Sequence, residues 1–299
     1  MSSHKIDKSI NCFRVFELTI ISIGRLFALL SLFIVAALLF QSGKFFILVH
    51  IKEFFLSMTW NPMSHGERSF GVWPLLYGTF LITFIAIMIA TPISIMSAIY
   101  ITEIADKKAR HIFTAFIEVV AGIPTIIYGY FAVISIAPFI KQFSIHFDIE
   151  NSLENAITAG IAMGIMMTPF ICSMCVQTLT ETPKHLRQGA IALGSSLYET
   201  TRFVILPSMK HSLISIILLA ISRAVGETMI VTMASGVTPN ITFNIFESVS
   251  TITTQIVTLL SGDQEFNSPE TLAVFALAMC LFILTLIINT LAANIKRVE

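Results

Sequence analysis

Arg187-Gln188-Gly189-Ala190-Ile191-Ala192-Leu193-Gly194, followed after a spacer by Val204-Ile205-Leu206-Pro207, is a polar break between two apolar runs of membrane length. The run that follows holds two charges in Ser222-Arg223-Ala224-Val225-Gly226-Glu227-Thr228, at a depth where lipid disfavours them. Small residues at Gly189, Ala190, Ala192 and Gly194 let another protein's surface approach the backbone closely, and Pro207 stops the segment before the next run. Composition alone is satisfied by a plain amphipathic linker.

Only 12% of the 299 residues are charged, against about 25% in a soluble domain, and the mean hydropathy is +0.84. An integral membrane protein follows. The formal net charge is zero, which removes any nucleic-acid footprint. A membrane-crossing helix needs about 20 mostly apolar residues. Six segments meet this, at 18–40, 75–101, 112–140, 156–180, 212–235 and 271–294. The brief run Phe45 to Ile51 fits an interfacial or periplasmic helix. Lys5, Lys8 and Arg14 before the first run resemble a signal peptide, but the run is long and Gln41-Ser42-Gly43 is a poor cleavage site, so an uncleaved span is expected.

Lys and Arg set the expected orientation. With the N-terminus inside, inner segments hold Lys5, Lys8, Arg14, Lys107, Lys108, Arg110, Lys184, Arg187, Arg202, Lys210, Lys296 and Arg297. Outer segments hold only Lys44, Lys52, Arg68 and Lys141. The last outer loop, 236–270, carries Glu247, Asp263, Glu265 and Glu270 with no Lys or Arg. Both termini are therefore expected in the cytoplasm of a multi-pass inner-membrane protein. Arg25 and Glu118 lie near the inner ends of their spans and receive no role.

Cys172 and Cys175 have C-x-x-C spacing but sit in an apolar run, as buried inert thiols do. With Cys12 and Cys280 they form no disulfide framework, and the histidines show no metal-ligand spacing. No metal site or cofactor is expected. The chain lacks a phosphate loop of the form G-x-x-x-x-G-K-[ST], Gly43-Lys44 being an isolated pair, so ATP hydrolysis would have to reside in a partner.

Pro92, Gly122, Pro124, Gly129, Pro138, Gly164 and Pro169 punctuate the spans. Ordinary kinks and broken helices lining a pathway both account for single positions. Two breakers close together in Ala121-Gly122-Ile123-Pro124-Thr125 favour a pathway. Arg223 and Glu227 stand at i and i+4, on one face of a continuous helix. There they would pair, either as a structural ion pair or as part of a substrate route. Arg suits oxyanions through bidentate hydrogen bonds. Thr228 and Thr232 offer hydroxyls to the same route, or bond back to their own helix.

The polar break resembles the "EAA loop" of ABC-importer permeases: E-A-A, three residues, Gly, nine residues, I-x-L-P. Here Gln188-Gly189-Ala190, then Gly194, then Val204-Ile205-Leu206-Pro207 fall in register, with Gln188, Gly189 and Val204 departing from the pattern. Phe70-Gly71-Val72-Trp73-Pro74-Leu75-Leu76-Tyr77-Gly78-Thr79, Ala121-Gly122-Ile123-Pro124-Thr125-Ile126-Ile127-Tyr128-Gly129 and Arg223-Ala224-Val225-Gly226-Glu227-Thr228-Met229 are similar to the phosphate-specific permeases of that family, PstC type. The resemblance implies an all-α, six-span type I (MetI-like) fold, with residues 1–70 as an N-terminal addition and 71–299 as the permease core. It implies a coupling loop at 182–210 that docks an ATPase through Gln188, Gly189, Ala190, Gly194, Leu206 and Pro207. It also implies a heterodimer with a PstA-type permease, a cytoplasmic ATPase dimer and a periplasmic phosphate-binding protein. A PstA-type subunit, or a permease for sulfate or molybdate, is the nearest alternative. A gradient-driven transporter leaves the coupling loop unexplained, and a membrane scaffold leaves Arg223 and Glu227 without purpose.

Overall fold

The computed structural model describes residues 3–64, 68–147, 151–262 and 265–296, with side chains from Phe16 onward. Asp263 and Arg297 lie outside the described residues, and the side chains of Lys5, Lys8, Cys12, Arg14 and Lys296 are likewise not described. Apart from one short hairpin, every regular element among them is helical. In chain order they are α1 (Ser3–Leu48), α2 (Ile51–Leu56), the strands β1 (Trp60–Asn61) and β2 (Ser69–Phe70), and α3 (Trp73–Ile99) with a π-helical extension Tyr100–Ile104. Then come α4 (Lys107–Ala121), α5 (Thr125–Phe131), π turns at Ala132–Ile136, α6 (Ala137–His146) and α7 (Ala156–Glu181). The chain continues as α8 (Lys184–Ala192), α9 (Leu197–Glu199), π turns at Thr200–Ile205, α10 (Leu206–Ser208) and α11 (Lys210–Val225). It finishes with α12 (Met229–Ala234), α13 (Ile252–Leu260) and α14 (Pro269–Lys296).

Five helical stretches are long and apolar enough to cross a membrane: Phe16–Leu48, Trp73–Ile104, Thr125–His146, Ala156–Glu181 and Pro269–Ile295. A sixth is met only by a bent pair, Leu197–Ser208 with Lys210–Val225, at 68° to each other. Two expected spans change. The segment 112–140 is not one helix: Pro124, without an N–H, ends the pattern after α4, and the membrane-length part is Thr125–His146. Glu118 thus sits on α4, an amphipathic helix with no buried residue, rather than in a span. The segment 212–235 also breaks, at Gly226–Thr228, between α11 and α12. Pro92 and Pro169, by contrast, lie inside continuous helices.

The bundle is organised around α7, packed along α3 through small residues. Ala86 and Ala90 of α3 are fully buried and face the α7 stripe of Ala159, Gly160 and Gly164. Such residues let helix backbones approach closely where water supplies no driving force. Ser94 Oγ on α3 donates to the Thr168 carbonyl of α7 at 2.9 Å. A second core gathers Phe45, Phe54, Trp60, Phe70 and Leu75 with Leu259 and Leu272. The run Phe45 to Ile51 is therefore the end of α1 and the start of α2, folded onto the β1–β2 hairpin. Trp60 Nε1 donates to Gln255 Oε1 at 3.0 Å, and Ser42 Oγ to the Phe275 carbonyl at 2.9 Å. Upstream of these contacts the apolar side chains of α1 stand exposed, Phe16, Leu26 and Phe33 among them.

Candidate functional site

Arg223 occupies the last turn of α11, where a cation complements the helix carbonyls. Glu227 does not pair with it. The helix ends at Gly226, so the i, i+4 register is lost, and no ion pair among the described residues involves Arg223. Glu227 turns instead to the next helix. Its Oε1 accepts the N–H groups of Met229 (3.1 Å) and Ile230 (3.4 Å) at the start of α12. Its carbonyl accepts Thr253 Oγ1 of α13 at 2.8 Å. The carboxylate thus satisfies orphan donors created by the break. Thr232 Oγ1 bonds back to the Thr228 carbonyl at 2.7 Å, and Thr228 Oγ1 reaches the Gly226 carbonyl at 3.4 Å. Both hydroxyls serve their own segment.

The Arg223 guanidinium carbon lies 4.8 Å from the ring centroid of Phe170 on α7. Face-on approach of a cation to an aromatic ring is favourable by about 0.5–2 kcal/mol. The same guanidinium borders a cavity of about 130 Å³. Thr125 and Tyr128 form one wall, from the Gly122–Pro124 break, and Pro169 and Ser173 of α7 another. Tyr128 Oη donates to the Val120 carbonyl at 3.0 Å, bridging the break and holding the wall in place. The structure therefore brings two sequence features together: the broken segment Ala121–Thr125 and the charged end of α11. A free cation beside hydroxyls and an aromatic face can take an oxyanion.

The segment 182–210 forms a helical hairpin. α8 carries Gln188, Gly189 and Ala190, of which only Ala190 is buried. Gly194 turns the chain with φ +88°, a conformation that L side chains rarely adopt, and the space where a Cβ would stand is open. Ser196 then caps the second arm with a reciprocal box: its Oγ accepts Glu199 N–H, and Glu199 Oε2 accepts Ser196 N–H at 2.8 Å. Donation to Glu199 Oε2 by Ser196 N–H, joined by Ser196 Oγ at 2.8 Å, holds the Glu199 carboxyl below the usual carboxylate range. Leu206 and Pro207 lie at the far end of the arm, before the bend into α11. Arg187 joins α8 to the bundle, its Nε and Nη2 bonding Glu103 Oε2 and Oε1 at 3.0 and 2.6 Å.

Three functional neighbours were not foreseen from sequence: Phe170, Thr253 and Glu103. Phe170 and Thr253 stand in apolar or polar runs without local distinction. Glu103 carries a readable signal, a carboxylate at the end of an apolar run that ends in Tyr100-Ile101-Thr102-Glu103. Cys172 and Cys175 are buried on α7 as free thiols.

The described residues thus form a multi-span helical bundle with a helical hairpin after the fourth membrane-length helix. The chain belongs to the family of binding-protein-dependent transport system inner membrane components, whose model matches residues 90–297. The chain is 31% identical over 233 residues to a protein of Bacillus subtilis (strain 168), the probable ABC transporter permease protein YqgH, covering 78% of this chain and 74% of that protein. It is 30% identical over 282 residues to the phosphate transport system permease protein PstC of Xylella fastidiosa (strain Temecula1), covering 89% and 85%. PstC of Mesorhizobium japonicum is 29% identical over 255 residues, covering 80% and 76%. Among solved structures, the fold matches the MetNI methionine ABC transporter in an inward-facing form, with TM-score 0.54 at 20% identity over 76% of this chain and 94% of that one.

Proposed function

We propose that this chain is the PstC-type permease subunit of an ATP-driven importer of inorganic phosphate. The observation that carries the reading is its alignment with phosphate permeases over most of both chains. Residues 1–70 flank the permease core 71–299. A PstA-type permease covers the exposed face that bears α4 and Arg223, and the two together enclose the pathway. A cytoplasmic ATPase dimer docks on the hairpin 182–210, Gln188, Gly189 and Ala190 meeting its surface while Gly194 makes the turn. A periplasmic phosphate-binding protein delivers the anion from outside, and both termini are cytoplasmic.

Arg223 is the group assigned to meet phosphate, supported by its lack of a carboxylate partner and its place on the cavity. Thr228, Thr232 and Glu227 shape the helix break behind it. The test is uptake of labelled phosphate by proteoliposomes holding this chain with its partner permease, ATPase and binding protein. Uptake that needs both ATP and the binding protein is expected, whereas uptake driven by an ion gradient without ATP overturns the reading.

A further inference from the structure

Glu103 is a carboxylate whose side chain is only 3% exposed, and Arg187, its bidentate partner, is 29% exposed. Removing a carboxylate from water costs several kcal/mol, so this geometry persists only because the guanidinium fork satisfies both oxygens. The pair links distant parts of the chain. Arg187 lies in the middle of the first hairpin arm, α8. Glu103 lies on the π-helical extension that continues α3 without a break, so it is rigidly part of the helix Trp73–Ile104. α3 packs along α7, which carries Phe170 beneath Arg223 and the Pro169 wall of the cavity.

The second arm is attached differently. Between it and the same end of α3 lies a cavity of about 620 Å³, walled by Ile99, Ile104, Leu197, Tyr198 and Leu206. That arm meets the main core through Ile205, fully buried in the same cluster as Ala98 and Ile101, and its contact beside the cavity is apolar, whereas the first arm holds the inner end of α3 by a directional, bidentate ion pair.

We propose that the Arg187–Glu103 pair is a strut that carries displacement of the docking hairpin into α3, and so couples ATPase movement to the pathway. The assignment rests on the reading of 182–210 as the docking element. Both residues act as positioning residues, since neither touches the transported anion.

The test uses the complete transporter in proteoliposomes and reads labelled phosphate taken up per ATP hydrolysed, a ratio that a merely structural role leaves unchanged. Two variants are compared at matched membrane levels. Arg187→Lys keeps the charge but loses the fork. Glu103→Met with Arg187→Met removes the pair without leaving a buried charge unpaired, an exchange that proteins often tolerate. Both should still capture the ATPase in detergent and hydrolyse ATP, while uptake per ATP falls roughly tenfold, a factor typical of coupling between sites. An unchanged ratio in the double variant overturns the strut. So does loss of ATPase capture in parallel with uptake, which makes the pair a docking support only. Failure of the hairpin reading itself is seen separately, in the otherwise unaltered chain: a cysteine at Gln188 then fails to cross-link to the ATPase.

Discussion

At the scale of single residues, Arg223 and Glu227 have separate duties, and this changes what their substitution should do. Were they an ion pair, replacing both would repair the loss caused by replacing one. Their separation at the Gly226 break means it should not. Arg223→Leu is expected to assemble and bind the ATPase but lose phosphate uptake by roughly ten- to a hundredfold, the worth of about 1.5–3 kcal/mol for a hydrogen bond to a charged group. Adding Glu227→Leu should leave uptake low and further loosen α12, because the caps at Met229 and Ile230 are gone; uptake assays and thermal melting at matched membrane levels check both. Restoration of uptake by the double substitution would return the two to a structural pair. Gly78 gives a prediction of another kind. A Cβ there would stand 2.2 Å from the Ser250 carbonyl oxygen, which is backbone and cannot swing away. Gly78→Ala should therefore cost about 1–3 kcal/mol, the usual range for overpacking, and lower the melting temperature without changing the residues of the pathway.

At the scale of elements, the hairpin 182–210 distinguishes two glycines that look alike in sequence. Gly189 is inside α8 with open space at its Cβ, so Gly189→Ala should leave ATPase capture intact and strengthen the helix by up to about 1 kcal/mol. Gly194 has a left-handed backbone, so Gly194→Ala should cost about 1–2 kcal/mol, misdirect the second arm and weaken ATPase capture in detergent pull-downs. Equal capture by the two variants would remove the turn from the docking geometry. The segment 182–210 was marked out in sequence by its resemblance to the family spacing, composition alone fitting a plain linker, but the hairpin shape and the reason for Gly194 were not legible: close approach of a partner and a turn at positive φ demand the same residue. The helix breaks show the same division. Gly122 with Pro124 announced a break, and one is found. The break at Gly226 was masked by the apolar residues on either side, and a continuous helix was the natural reading of Arg223 and Glu227. Phe170 was unreadable because its meaning comes from a guanidinium more than fifty positions away, and no local pattern encodes such a meeting.

At the scale of the whole molecule, four of the six expected spans coincide in place with apolar helical stretches, and a fifth overlaps only from Thr125 onward, because a twenty-residue apolar run has few alternatives. The fold beyond that depended on which helices meet, and the small-residue stripes of α3 and α7 decided it without a strong sequence signature. The orientation proposed from the Lys and Arg bias makes a direct prediction. In a chain cleared of its native cysteines, single cysteines at Ser64 and Gly262 should label from outside with an impermeant thiol reagent, and one at Lys184 should label only after the membrane is opened. Labelling at Lys184 from outside would invert the whole arrangement, ATPase side included.

The second core has a consequence in time as well as in space. Trp60 and Ser42 reach their partners on α13 and α14 across some two hundred residues of intervening chain: Trp60 meets Gln255, and Ser42 meets Phe275. During synthesis the first span enters the bilayer long before those partners leave the ribosome. Until then only its end has a neighbour, Phe45 against Phe54 and Phe70, and the rest must be sheltered by lipid, by the insertion machinery or by another subunit. A nascent chain halted after α12 should therefore leave its N-terminal segment open to proteolysis, and protection should appear only once α14 has been made.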